Sequence, residues 1–151
     1  MEKNVLTVKA ALQIQKPADE VFEAIVNPDI MKEYFISYGS ARMEEGKKLV
    51  WRFPEFDGDA PVRIKKIISP IFISFYWGEE GKELLVEMNL ESQKDGSTVI
   101  RITEGGMENN DAGLQWLVGN TEGWANFLAC MKAWLEYEVH LRKGAFDFMR
   151  G

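Results

Sequence analysis

The sequence predicts an α+β fold, a curved antiparallel sheet of about six to seven strands around one long C-terminal helix. Three observations predict it. Apolar residues recur at every second position through residues 6–14, and again in turn-broken segments from residue 40 to 104. Two short stretches of helical spacing lie between those regions. In the last third the apolar spacing becomes i, i+3, i+4, i+7.

The first strand sets Leu6, Val8, Ala10, Leu12 and Ile14 against Thr7, Lys9, Gln13 and Gln15, which is a half-buried strand. Pro17 stops it and suits a helix start, and Val21, Phe22 and Ile25 follow at helical spacing. Asn27-Pro28-Asp29 ends that helix and opens a second short one through Ile30, Met31, Tyr34 and Phe35. Ser40–Met43 reads as a short strand, and Leu49, Trp51 and Phe53 share one face of the next. Pro54–Pro61 is a loop and Val62–Ile68 a strand. After the turn at Ser69-Pro70, Ile71, Ile73, Phe75 and Trp77 alternate. Leu84, Val86, Met88 and Leu90 form another apolar face. Lys94-Asp95-Gly96 signals a hairpin, because Asp-Gly supplies the positive φ angles such turns need. Thr98, Ile100 and Ile102 then face inward, and the strand ends at Glu104 and Gly105-Gly106.

Asn109-Asn110-Asp111 offers capping side chains. Leu114, Trp116, Leu117 and Val118 form a first turn or two, which Gly119 and Gly123 weaken. From Asn120, the apolar set Trp124, Phe127, Leu128, Met131, Trp134 and Leu135 predicts a helix to Lys143, ended by Gly144. That helix is about 36 Å long, against about 29 Å between the outer axes of seven strands. It can therefore cover the sheet, which twist curls around it.

Residues 1–151 are the length of one domain, and a chain of this size buries about 68–70% of its unfolded surface. A hydrophobic content of 46% argues against disorder, and a net charge of −6 argues against nucleic acid and anionic membrane surfaces. The start, Met1-Glu2-Lys3-Asn4, shows no signal peptide, and no apolar stretch approaches the roughly 20 residues of a membrane span. The one cysteine, Cys130, allows no internal disulfide and fits the cytoplasm.

The inventory also limits the chemistry. With one histidine and one cysteine, a zinc site lacks ligands. On one helix Cys130 and His140 stand about 15 Å apart, too far for a dyad. Gly39–Lys47 has the wrong glycine spacing for a phosphate loop. The carboxylates of Glu55-Phe56-Asp57-Gly58-Asp59 lack the other ligands of a calcium hand and read as a solvated hairpin tip. No metal or cofactor is expected.

The order of elements resembles the helix-grip fold of the START and birch-pollen-allergen (SRPBCC) superfamily. Lys16-Pro17-Ala18-Asp19-Glu20-Val21-Phe22-Glu23-Ala24-Ile25 with Asn27-Pro28 resembles the opening of the family named for the activator of the heat-shock chaperone ATPase. Ile73-Ser74-Phe75-Tyr76-Trp77 is similar to its central strand. Gly96-Ser97-Thr98 through Glu104-Gly105 resembles its last hairpin, and Glu122-Gly123-Trp124 through Leu135-Glu136 its Gly-Trp helix. Two positions depart: Tyr34-Phe35 stands where members often carry Trp, and Glu104 where they often carry His. The resemblance implies a START-like domain with a cavity under the long helix, but it carries over no ligand.

The candidate ligand contacts are Trp51, Trp77, Trp124, Phe127, Met131, Tyr34, Tyr38 and Glu104. The aromatic residues either wall a pocket for a flat or greasy ligand or pack the core; Trp134 belongs with them by its face. Trp77 ends its strand, where a cavity would open. Glu104 continues an inward face, where burial raises a carboxyl's pKa and suits acid–base work, or it is a solvated strand end. Tyr34 and Tyr38 flank the link between the short helices and the sheet, which in the fold this chain resembles borders the cavity mouth, so they either gate or contact a ligand or form a packed lid. Arg52, Arg63 and Arg101 fall on the outer face, Cys130 is buried and inert, and His140 is exposed near the helix end. The apolar tail Ala145–Gly151 either folds back on its own domain or docks on a second copy. Three functions follow: small hydrophobic ligand binding without catalysis, a chaperone-associated interaction protein, or a cyclase/aromatase-like enzyme using Glu104 or a tyrosine.

Overall fold

A computed structural model describes residues 4–150. Met1–Lys3, the start of the stretch read above for a signal peptide, and Gly151 of the tail lie outside the described residues. Seven strands form one antiparallel sheet in the order β1-β7-β6-β5-β4-β3-β2. Strand β1 (Val5–Ile14) alternates as the sequence predicts, and its Val8 and Ile14 are fully buried.

Helix α1 (Ala18–Val26) buries Val21, Phe22, Ala24 and Ile25. Helix α2 (Pro28–Met31) is capped by Asn27, whose side chain accepts from the Asp29 N–H at 3.0 Å. It stops at Met31 instead of running on to Phe35. Tyr34, Phe35 and Ile36 are all buried, and three consecutive residues cannot share one helical stripe, so the chain turns there. Strand β2 is Tyr38–Gly39 rather than Ser40–Met43. Beyond Gly39 the chain leaves the sheet edge, and the Met43 N–H donates to the Val26 carbonyl at 3.0 Å.

Strands β3 (Lys48–Arg52), β4 (Ala60–Ile68), β5 (Phe72–Trp77) and β6 (Leu84–Ser92) follow as a meander. Their inner faces carry Leu49, Trp51, Val62, Ile64, Ile73, Phe75, Val86, Met88 and Leu90, all buried. Gly96 makes the predicted hairpin with φ 87°. Strand β7 (Thr98–Glu108) runs past the predicted stop at Gly105-Gly106. Leu6 pairs with Met107 and Thr7 with Gly105, so Gly106 is the extra residue of a bulge and pairing with β1 continues.

Helix α3 (Asp111–Tyr137) is one continuous helix of 27 residues, about 40 Å long. It starts nine residues before Asn120 and ends six before Lys143. Asn110 caps it, accepting from the Gly113 N–H at 2.8 Å. A Cβ at Gly113 would lie 1.9 Å from the Glu108 carbonyl oxygen, so the first turn presses directly on the end of β7. Gly119 and Gly123 lie inside the helix without breaking it. Glu138 closes it in the left-handed region at φ 52°, a conformation uncommon outside glycine. Gly144 also has a positive φ, but it belongs to a later turn.

The far end of α3 is tied to β1. Lys132 donates to the Gln13 carbonyl at 2.9 Å, and Glu136 accepts from the Gln15 N–H at 2.9 Å. Burial pushes the Glu136 carboxyl up, but the Gln15 N–H and Lys132 outweigh it and hold it below the usual carboxylate range.

Beyond α3 the tail folds back on its own domain. Arg142 forms an ion pair with Glu55, and both side chains are largely buried. The guanidinium also lies over the rings of Phe35, Phe53 and Phe146, at 5.5, 5.9 and 4.7 Å from their centroids. Glu55 is thus buried rather than part of a solvated tip, and Asp59 is held by Arg52. His140 lies past the helix, not on it. It stacks on Trp134 at 4.7 Å and contacts the Glu33 carbonyl at 3.0 Å. Trp134 is half-buried, packed against the core and stacked on His140.

Candidate functional site

Strand β7 aims Glu104 inward by strict alternation after Thr98, Ile100 and Ile102, and its side chain is 2% exposed. Among the described residues no cation pairs with it. Three N–H donors converge on it instead: Trp77 Nε1 on one oxygen at 2.9 Å, and Asn120 Nδ2 and Trp124 Nε1 on the other at 2.9 and 2.8 Å. Such bonds offset the cost of burying a carboxylate. They also fix both indoles, since an indole N–H can only donate. Strand β5, strand β7 and helix α3 are therefore joined at one carboxyl group.

The two indoles lie 5.3 Å apart at their centroids and are tilted by 38°. Beneath them the rings interlock: Phe75 with Trp51 at 5.5 Å, Trp51 with Phe35 at 5.8 Å, and Phe35 with Phe127 at 4.7 Å. These rings occupy the space under α3 where the sequence led us to expect an enclosed cavity. One free volume lies at the end of the sheet beside Trp77, where the sequence expects a cavity to open. An open groove of about 320 Å³ runs between Trp77, Trp124, Phe35 and Phe53, the α3 face of Gly119 and Gly123, and the tail residues Phe146 and Met149. A second space, on the far side of Trp77, is lined by Glu104, Leu84, Met107 and Trp116.

The structure brings Trp77, Trp124 and Glu104 together, as the alternation and the helical stripe suggested. Trp51, Phe127 and Met131 lie in the core below them, each at most 1% exposed. Tyr34 is buried and donates its hydroxyl to the Ala24 carbonyl at 2.9 Å; burial raises its pKa well above the ordinary phenol range. Tyr38 is not brought to the groove. It pairs with Arg52 across β2 and β3 and carries that guanidinium over its ring at 4.8 Å, so alternation turns it outward. Arg63 and Arg101 face outward as expected, paired with Glu83 and Glu91. Cys130 is buried, which raises its thiol pKa. Asn120 and Arg142 were not singled out from sequence. The periodic spacing could place Asn120 on α3, but only the fold reveals its bond to β7.

Comparison with known proteins fits this geometry. The profile of the family described as activator of Hsp90 ATPase homolog 1-like protein matches residues 15–136. The chain belongs to this family. The match takes in Glu104, Trp77, Asn120 and Trp124, and it ends before the folded-back tail. Among solved structures, protein SSP2350 from Staphylococcus saprophyticus is 30% identical with a TM-score of 0.78, over 89% of this chain and 94% of that one. The Aha1 dimer from Colwellia psychrerythraea is 19% identical with a TM-score of 0.75, over 87% and 97%. DynU16, a protein from the dynemicin biosynthetic locus, is 21% identical with a TM-score of 0.77; the match covers 87% of this chain and 48% of that one. The family member thus has the helix-grip fold of these structures. No curated protein matches the sequence. No helix among the described residues is long and apolar enough to cross a membrane.

Proposed function

We propose that this helix-grip protein binds a small apolar ligand in the groove at the end of the sheet. One observation carries the reading. Trp77 and Trp124 wall that groove while their N–H groups are anchored on buried Glu104, so two large apolar faces are held rigid. Rigid apolar walls with few polar groups are what small-molecule sites use, and preorganisation lowers the entropy cost of binding. Native mass spectrometry of gently purified protein tests it. A reproducible extra mass, released on denaturation, is the expected result. A clean apo mass together with no quenching of tryptophan fluorescence by added flat apolar compounds would remove the reading.

A second reading, a chaperone-associated interaction protein, draws on the family's description and on one surface feature. Tyr137, Val139 and Leu141 are exposed by 68%, 49% and 49% just after α3. It predicts a faster ATP hydrolysis by an Hsp90-type chaperone on addition of this chain, and an unchanged rate would count against it. A cyclase/aromatase-like enzyme would draw on Glu104. Its oxygens already receive three donors, which favours an anchoring role over proton transfer. Homodimerisation through the tail finds support in the 80% exposure of Phe148. Light scattering of the intact chain against one ending at Gly144 tests it, and equal masses would exclude the tail contact. Cys130, buried and without a second cysteine, fits a cytoplasmic setting.

A further inference from the structure

We propose that residues 138–150 form a strap that completes the groove as a binding site and restricts it to flat, uncharged compounds. This rests on the ligand-binding reading above. The strap lies beyond the family match, which ends at residue 136.

Two fastenings hold it. Arg142 is paired with Glu55 and enclosed by the Phe35, Phe53 and Phe146 rings. His140 stacks on Trp134 and contacts Glu33. Held in this way, the strap contributes Phe146 and Met149 to the lining of the groove that Trp77 and Trp124 wall.

The helix side of the groove is bare. Gly119 and Gly123 sit one turn apart inside α3, where glycine weakens a helix relative to alanine. Nothing lies within 4 Å of a Cβ built at either position, so the chain's own packing does not call for them. Both line the groove, and their missing side chains leave a flat helix face beside the indoles. A volume of about 320 Å³ is at the small end of ligand sites, which suits two or three fused rings.

Charge sets the second restriction. Arg142 and Glu122 are the charged residues of the lining. Arg142 is already paired with Glu55, and its unpartnered Nε is buried away from solvent. A bound anion would therefore meet the Glu122 carboxylate with no free cation among the described lining residues, on a chain of net charge −6. An anion loses its hydration there without a partner.

The test is fluorescence titration of the intact chain with 1-aminoanthracene and with 9-anthracenecarboxylate. The intact chain is expected to bind the uncharged probe at least tenfold more tightly than the carboxylate. Phe146→Ser/Met149→Ser, which keeps the Arg142–Glu55 pair, is expected to weaken 1-aminoanthracene at least tenfold. A chain ending at Gly144 should do the same, and circular dichroism checks that both remain folded. Equal affinity of the intact and altered chains for 1-aminoanthracene overturns the strap's role and leaves the binding reading standing. Equal affinity of the intact chain for the two probes overturns the charge restriction. Absence of binding of either probe to the intact chain overturns the binding reading and the strap together.

Discussion

Trp124, on the long helix, donates its indole N–H to Glu104, on the last strand, across 2.8 Å. That bond crosses from the helix layer to the sheet layer, and two more donors share the same carboxyl group. Glu104→Leu strands three polar partners at once. It is expected to destabilise the protein by about 1–3 kcal/mol, chiefly the cost of leaving the buried Trp124 donor unmade, since Trp77 and Asn120 are only part-buried. Glu104→Gln is expected to fall between wild type and Leu, because the amide offers one accepting oxygen and turns an N–H₂ towards other donors. Urea unfolding followed by tryptophan emission measures both, and wild-type midpoints for the two variants would refute the anchoring role.

The Glu55–Arg142 pair is expected to be strongly coupled. Either single change leaves one charge buried without its partner, which costs more than removing both. A double-mutant cycle of Glu55→Gln and Arg142→Met should give about 0.5–3 kcal/mol of coupling. Hydrogen exchange reports where the loss falls, with the amides of residues 141–150 exchanging faster and those of β6 and β7 unchanged. Additive single effects would show that the pair does not fasten the strap.

Gly119→Ala and Gly123→Ala are each expected to raise stability by about 0.5–1 kcal/mol, since helical backbone freedom is reduced and nothing stands in the way of the new methyl group. The same changes should lower the affinity for 1-aminoanthracene, because the methyl groups enter the groove. Thermal melts and the titration above read the two effects separately. A gain in stability with unchanged affinity would place the ligand away from α3.

Acid should loosen the seam between α3 and β1. The Glu136 carboxyl is held below its usual range in the folded protein, so the folded state favours its ionised form. The stability it contributes is complete above the unfolded carboxylate pKa and is lost as pH falls through the lower folded value. Wild type and Glu136→Gln are expected to differ most in Tm at neutral pH and to converge at the acid end. A difference that stays constant with pH would assign the effect to shape rather than charge.

Most of the fold was legible because each strand has one wet and one dry face. Alternation located β1 and β3–β7, and the same rule turned Glu104 inward and Arg52, Arg63 and Arg101 outward. The helix bounds were misread for a local reason: Gly119 and Gly123 suggest a break, and glycine is the expected terminator, whereas the helix ends on Glu138 in a left-handed conformation. The rest of the site was not legible because it depends on distant pairings. Asn120 meets Glu104 from 16 residues away, and Arg142 meets Glu55 from 87. No periodicity encodes such contacts. The aromatic spacing marked the rings as inward and placed Trp77 where a cavity would open, but it could not show that the rings below pack the space under α3.

The fixing of α3 at both ends has a mechanical consequence. Its first turn bears on Glu108 through Gly113, and its last turns are bonded to Gln13 and Gln15 through Lys132 and Glu136. A beam clamped at both supports cannot lift or pivot without breaking one of them. Extra room for a bulky guest therefore has to come from sideways movement of the segment after Tyr137, while the beam and the sheet beneath it keep their spacing.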